Sequence, residues 1–282
     1  MAKVVTFGEI MLRLQPYDYL RFVQADSFEA TFGGGEANVA VSLANYGVDV
    51  DFVTKLPKHS IGQMGVNSLR RYGVGTGKIV RGGDRVGIYF LEKGASQRGS
   101  VCIYDRAHSA IADAQPGDFN WEEIFDGVDW FHFTGITPAL GKNVVDLCIE
   151  ACKAAKKAGA KISCDLNYRG KLWTRDEARE AMTKICEYVD VCISNEEDAK
   201  DVFGIEAENT DIYAGELNKE GYKSVAKQLA DKFHFEKGAS TLRESKSAFD
   251  NDWSAMLYDV ASDEYCFSKL YHLHIIDRVG GG

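Results

Sequence analysis

Along this chain, short runs of apolar residues alternate with longer stretches in which apolar positions recur every three or four residues. VVTF is followed by ANVAVSLANYG and VDFVTKL by IGQMGVNSLRRYGV. Further on, WFHFTG, NVVDLCIEACKAAKKAGA, KISCDLN, DEAREAMTKICEY, VDVCISN and GYKSVAKQLADKF continue the series. Short apolar runs suit strands buried on both faces and the periodic stretches suit amphipathic helices. The pattern therefore predicts an α/β fold with a mainly parallel central sheet flanked by helices. Gly159 stands where the helix ending in AAKKA should be capped.

Two stretches break the rhythm. Residues 12–32 and 77–106 alternate apolar and polar positions between glycine-containing turns, which suits antiparallel strands and predicts a small shared β lid. Residues 247–267 read as a further hairpin at the C-terminal edge. Ile275 and Ile276 read as a buried strand, with Asp277 and Arg278 turning the chain into Gly280, Gly281 and Gly282. With no internal repeat, the expectation is a single catalytic domain over residues 1–282.

Composition narrows the partners. A net charge of -9 on 282 residues argues against nucleic acid and anionic membranes, because a phosphate-binding face would have to form against the molecule's own field. Seven scattered cysteines with no CxxC pair suggest a reducing, cytoplasmic setting, and Cys148 and Cys152 read as small core residues. The opening MAKVVTFGEIMLRL carries Glu9 inside its apolar stretch and reads as a first strand, not a signal peptide.

Four groups of residues carry candidate chemistry. In FGGGEANVAVSLANYG, Gly34 and Gly35 let a ligand approach the backbone and Asn38 sits in the first turns of the following helix, whose N–H groups are unpaired. In CDLNYRGKLW, Asp165, Asn167 and Arg169 project beyond a strand end, where open parallel sheets bind ligands, and Arg169 suits a carboxylate or phosphoryl group. In ISNEEDAKDVFG, Asn195 and Asp198 suit water around a magnesium ion, although helix capping by Ser194 or Asn195 is the plainer reading. Tyr89, Tyr104 and Arg106 on the lid would suit a polyol bearing an acid group, provided the fold brings them together. GVGTGKI at 73–79 lacks the P-loop spacing and reads as a turn into a lid strand.

Together these motifs resemble the ribokinase-like (PfkB) family of carbohydrate kinases along essentially the whole chain. GGGEAN, Tyr89, YDR at 104–106, DLNYRGKLW and STLRES at 240–245 are most similar to its 2-keto-3-deoxygluconate kinase branch. The resemblance implies a sugar acid held by Gly34, Gly35, Asn38, Tyr89, Tyr104, Arg106 and Arg169. It implies ATP facing Asn167, Asn195, Thr241 and Arg243, with Mg²⁺ arranged through water by Asn195 and Asp198, where the family more often has Glu in the latter place. Gly280, Gly281 and Gly282 would form an anion hole, and the catalytic base would be an aspartate directly after Gly282. A truncated C-terminus is the corresponding expectation, as is a homodimer or higher oligomer through lid edges near Tyr89 and Phe90. A kinase of a neutral sugar such as fructose or ribose, a non-catalytic sugar- or nucleotide-binding chain, and a Rossmann-type oxidoreductase remain the alternatives. No GxGxxG follows a strand to favour the last.

Overall fold

In the computed structural model, residues 2–207, 219–247 and 249–276 are described. A nine-stranded sheet runs in the spatial order Glu264–Phe267, Asp250–Asp259, Lys237–Ser245, Val191–Ser194, Lys161–Asp165, Trp130–Thr134, Lys3–Phe7 and Asp49–Val53, with Tyr271–His274 also paired to Asp250–Asp259. From Lys237–Ser245 to Asp49–Val53 every pairing is parallel. The strands from Asp250 onward pair antiparallel, as the hairpin pattern predicts.

The alternation of side chains sorts the sheet into two packed faces. Val5, Phe7, Phe131, Phe133, Ile162 and Cys164 join the larger core cluster, with Leu147, Ala151 and Cys152 of helix Lys142–Ala158. Val4, Val50 and Phe52 face the other way, onto Ala37 and Ala40 of helix Gly35–Asn45 and Val66 and Leu69 of helix Ser60–Arg70. Gly159 adopts the left-handed φ of 84° and caps Lys142–Ala158. Cys148 and Cys152 are buried core residues, and all seven cysteines are free thiols.

A second, four-stranded sheet has the order Phe28–Gly33, Met11–Pro16, Ile88–Glu92, Val101–Asp105. It draws on both stretches that broke the rhythm. Two details differ from expectation. The central pairing of Met11–Pro16 with Ile88–Glu92 is parallel, because two separate hairpins meet side by side. Residues just after GVGTGKI do not enter this sheet, since Val80–Arg81 pairs with Lys55–Leu56.

The C-terminal strand also lies elsewhere than Ile275 and Ile276. Tyr271–His274 pairs with Asp250–Trp253, and two cross-strand pairs, His272 Nδ1 to Asp252 Oδ1 at 2.6 Å and His274 Nδ1 to Asp250 Oδ1 at 2.8 Å, fix that register. Ile276 follows it and is 82% exposed. Asp277, Arg278, Gly280, Gly281 and Gly282 lie outside the described residues.

Candidate active site

The parallel strands end in step: Thr134 is opposite Asp165, Asp165 opposite Ile193, and Ser194 opposite Ser240. Their carboxyl ends therefore form one edge, and the four-stranded sheet stands against it. Between them lies a cleft of about 1560 Å³. Gly34, Gly35, Asn38, Tyr89, Tyr104, Arg106, Asn167 and Arg169 all line it. The fold thus brings together residues 135 positions apart in sequence, from Gly34 to Arg169.

The floor is built on two buried carboxylates. Glu9, 3% exposed, receives the Arg106 guanidinium through Nε at 2.8 Å and Nη2, and the Ser109 hydroxyl at 2.6 Å. Arg106 is thereby fixed while its outer surface stays on the cleft. Glu36 accepts from the Thr134 N–H at 3.0 Å, the Thr134 hydroxyl at 2.7 Å and the Thr137 hydroxyl at 2.6 Å. Burial pushes its carboxyl up, and those threonine hydrogen bonds pull it partly back. The same links tie the start of helix Gly35–Asn45, and hence Asn38, to the end of strand Trp130–Thr134. Glu36→Ala is expected to lower unfolding free energy by about 1–2 kcal/mol in urea titration, and to weaken sugar binding by releasing that helix start.

Two close crossings join the sheets. A Cβ on Gly34 would run into the Glu9 carbonyl, and one on Gly8 into the Glu36 carboxylate.

On the lid wall, Tyr89 and Tyr104 are directly opposed across two antiparallel strands, with ring centroids 6.0 Å apart. Arg106 Cζ lies 5.6 Å from the centroid of Tyr104. Burial pushes the Tyr104 phenol up to about 12, so it remains a neutral hydroxyl donor at physiological pH. Tyr89, Tyr104 and Arg106 are thus placed together on one wall of the cleft.

The body wall is set by an unusual backbone turn. Asn167 has a φ of 34°, and its N–H reaches Asp165 Oδ1 at 3.2 Å. That turn sends the Tyr168 N–H to Asp198 Oδ1 at 2.9 Å. Asn195 is indeed a helix cap, accepting the Asp198 N–H at 2.7 Å. Asp165 is pushed up to about 7 by burial and then by the neighbouring Asp198, whose own carboxyl is raised by burial. Two adjacent carboxylates that resist ionising together form an oxygen donor set that a hard cation would relieve. Among the described residues no group of three or more His, Cys, Asp or Glu is set to hold a metal directly.

Asn195, Asp198, Thr241 and Arg243 do not line the main cleft. Thr241 lies one residue past the Ser194–Ser240 pair, next to Asn195 along the same edge. Arg243 is farther along the strand, exposed, with Cζ 5.8 Å from the Trp253 ring centroid. Sequence reasoning passed over Glu9 and Glu36 as site residues. Charges embedded in otherwise apolar or glycine-rich runs, GEIML and GGGEAN, were the available signal. His132 is a buried neutral imidazole, lowered to about 4 by burial and joined to Ser163 Oγ at 2.9 Å, and it lies away from the cleft lining.

The cleft lies between the parallel sheet's carboxyl edge and a small β lid and is lined by tyrosines and arginines, a setting suited to a small polar ligand. Residues 1–232 match the pfkB family carbohydrate kinase, and the chain belongs to that family. Among solved structures it is similar to 2-dehydro-3-deoxygluconokinase from Thermotoga maritima, with 52% identity and a TM-score of 0.93 over 99% of this chain and 83% of that one. Among curated proteins it is 34% identical to 2-dehydro-3-deoxygalactonokinase of Haloferax volcanii over 83% of this chain and 70% of that protein. It is also 28% identical to 2-dehydro-3-deoxygluconokinase of Bacillus subtilis, where the match spans 60% of this chain and about half, 52%, of the relative.

Proposed function

We propose that this kinase transfers the terminal phosphoryl group of ATP to the primary C6 hydroxyl of 2-keto-3-deoxy-D-gluconate, in cytoplasmic sugar-acid catabolism. The observation that carries the reading is the gathering of Arg106 and Arg169 around Tyr104 on the cleft that Asn38 also lines. Arg106 is already paired with Glu9, so the charge left for a substrate carboxylate is that of Arg169, which a neutral sugar would leave unanswered. Gly34, Gly35, Asn38, Tyr89, Tyr104, Arg106 and Arg169 hold the acid sugar; Asn167, Asn195, Thr241 and Arg243 face the nucleotide. The 2-dehydro-3-deoxygalactonokinase relative supports the C4 epimer as a second substrate.

Positioning and electrostatics do most of the work in phosphoryl transfer. The unpaired N–H groups opening helix Gly35–Asn45 and the lid tyrosines orient the sugar, and lid closure excludes water that would otherwise take the phosphoryl group. The resemblance implies an anion hole at Gly280, Gly281 and Gly282 and a base at an aspartate expected directly after them. Mg²⁺ would be held by Asn195 and Asp198 through water, beside Asp165, and would neutralise polyphosphate charge.

Homodimerisation through the lid accompanies this reading, but by a different patch from Tyr89 and Phe90. Tyr89 is 7% exposed and Phe90 packs edge-on to Phe28, whereas Val101 and Ile103 on the edge strand are 43% and 52% exposed.

The test is a coupled ADP-release assay on the full-length protein with 2-keto-3-deoxygluconate, its C4 epimer, fructose and ribose. Turnover of the acid sugars well above both neutral ones is the expected result, and fructose turnover equal to or above theirs would remove the reading.

A further inference from the structure

The acid sugar must bind in a molecule of net charge -9, so the state of each cation around the cleft matters. Arg106 is already tied to Glu9 by Nε and Nη2. Arg169 favours the ionised form of Asp165 and Asp198 but forms no ion pair with either among the described residues. Of the other acids on the cleft, Asp105 pairs with Arg85 at 2.9 Å and Asp113 with His108 at 3.3 Å. Lys171 lines the same cleft two residues beyond Arg169, is solvent-exposed, and has no carboxylate partner among the described residues. Its Nζ stands 5.9 Å from the Tyr104 ring centroid, so Tyr104 carries both Lys171 and Arg106 near its ring.

We propose that Lys171 is a specificity-determining residue, adding beside Arg169 an uncompensated positive charge that the substrate carboxylate meets above Tyr104. The inference rests on the sugar-acid reading and deepens it. A fixed, neutralised Arg106 provides shape and directed donors. A mobile ammonium held loosely at the aromatic ring can follow an incoming anion and pair with it once it is seated. The chain segment fits this role, since Lys171 sits on the loop just past the strand end, where a change of side chain leaves the core untouched. Lys93 also lines the cleft but has no such aromatic neighbour among the described residues, which makes it the fair comparison.

The experiment measures steady-state kinetics of the full-length enzyme and of Lys171→Gln, Lys171→Arg and Lys93→Gln. 2-Keto-3-deoxygluconate is the acid substrate and fructose the neutral probe, as substrate or competitive inhibitor. Lys171→Gln should raise the Michaelis constant for the acid sugar about tenfold with little change in kcat. It should leave fructose affinity within about twofold and flatten the dependence of the Michaelis constant on salt. Lys171→Arg should restore most of the affinity. An equal loss for both sugars, no loss at all, or a loss carried by Lys93→Gln instead would overturn the assignment of Lys171. A wild-type enzyme that handles fructose as well as the acid sugar would instead remove the sugar-acid reading beneath it.

Discussion

Arg106→Ala is expected to destabilise the chain by about 3–5 kcal/mol and to abolish measurable affinity for the acid sugar. The reason lies under the cleft and not in it. The guanidinium is the charged partner of Glu9, and both side chains are buried, at 9% and 2% exposure. Removing it strands a carboxylate whose remaining side-chain donor is Ser109. Urea unfolding followed by circular dichroism measures the first effect and calorimetric titration with the sugar the second. Glu9→Gln combined with Arg106→Met should recover most of the stability, because neither charge is then left alone, while binding stays lost. If Arg106→Ala unfolds at the wild-type urea concentration, Glu9 is not dependent on it and the floor of the site has been misread.

Asp165→Asn should stabilise the fold, and only above acid pH. The folded-state value of about 7 lies above the ordinary 3.8, so between roughly pH 4 and 7 the folded protein holds a proton that the unfolded chain has released. The protonated form is the comfortable one in the fold. Stability contributed by this group is therefore present below pH 4, declines as pH rises, and is fully lost above about 7. An amide keeps an oxygen for the Asn167 N–H, 3.2 Å from Oδ1, and carries no charge to desolvate. The gain expected at pH 8 is about 2–4 kcal/mol, from a shift of about three pH units, and it should vanish near pH 4. Thermal melts of both proteins across that range would measure it, and a gain independent of pH would contradict the account.

Much of the architecture is legible because burial leaves a simple mark on sequence. Strands such as KISCD and VCIS are largely buried and read as short runs centred on apolar residues, and the helices between them repeat at helical spacing. The lid was legible as two insertions, but the parallel join of Met11–Pro16 to Ile88–Glu92 depends on how two hairpins meet, which neither encodes locally. For the site, Asn38, Tyr104 and Arg169 announced themselves through residue type and place. Glu9 did not, since its partners Arg106 and Ser109 lie 97 and 100 residues away. Glu36 likewise matters through Thr134 and Thr137, 98 and 101 residues on. Ile275 and Ile276 misled because branched aliphatics favour strands in general, whereas the His–Asp pairs of Tyr271–His274 set the pairing here.

The crossings at Gly8 and Gly34 bear on how such an enzyme could change. A side chain at either position would strike the Glu9 carbonyl or the Glu36 carboxylate. At Gly34 the obstacle is backbone, and at Gly8 it is a carboxylate already held by Thr134 and Thr137, so substitution at either place is expected to cost stability before it alters sugar preference. Tyr104, Arg169 and Lys171 stand on exposed rims where replacement leaves the core intact. Divergence toward a new sugar would therefore be written almost entirely on the rim, with the crossing inherited unchanged. In a saturation-mutagenesis library, surviving clones with altered sugar preference should carry changes at 104, 169 and 171 and keep glycine at 8 and 34.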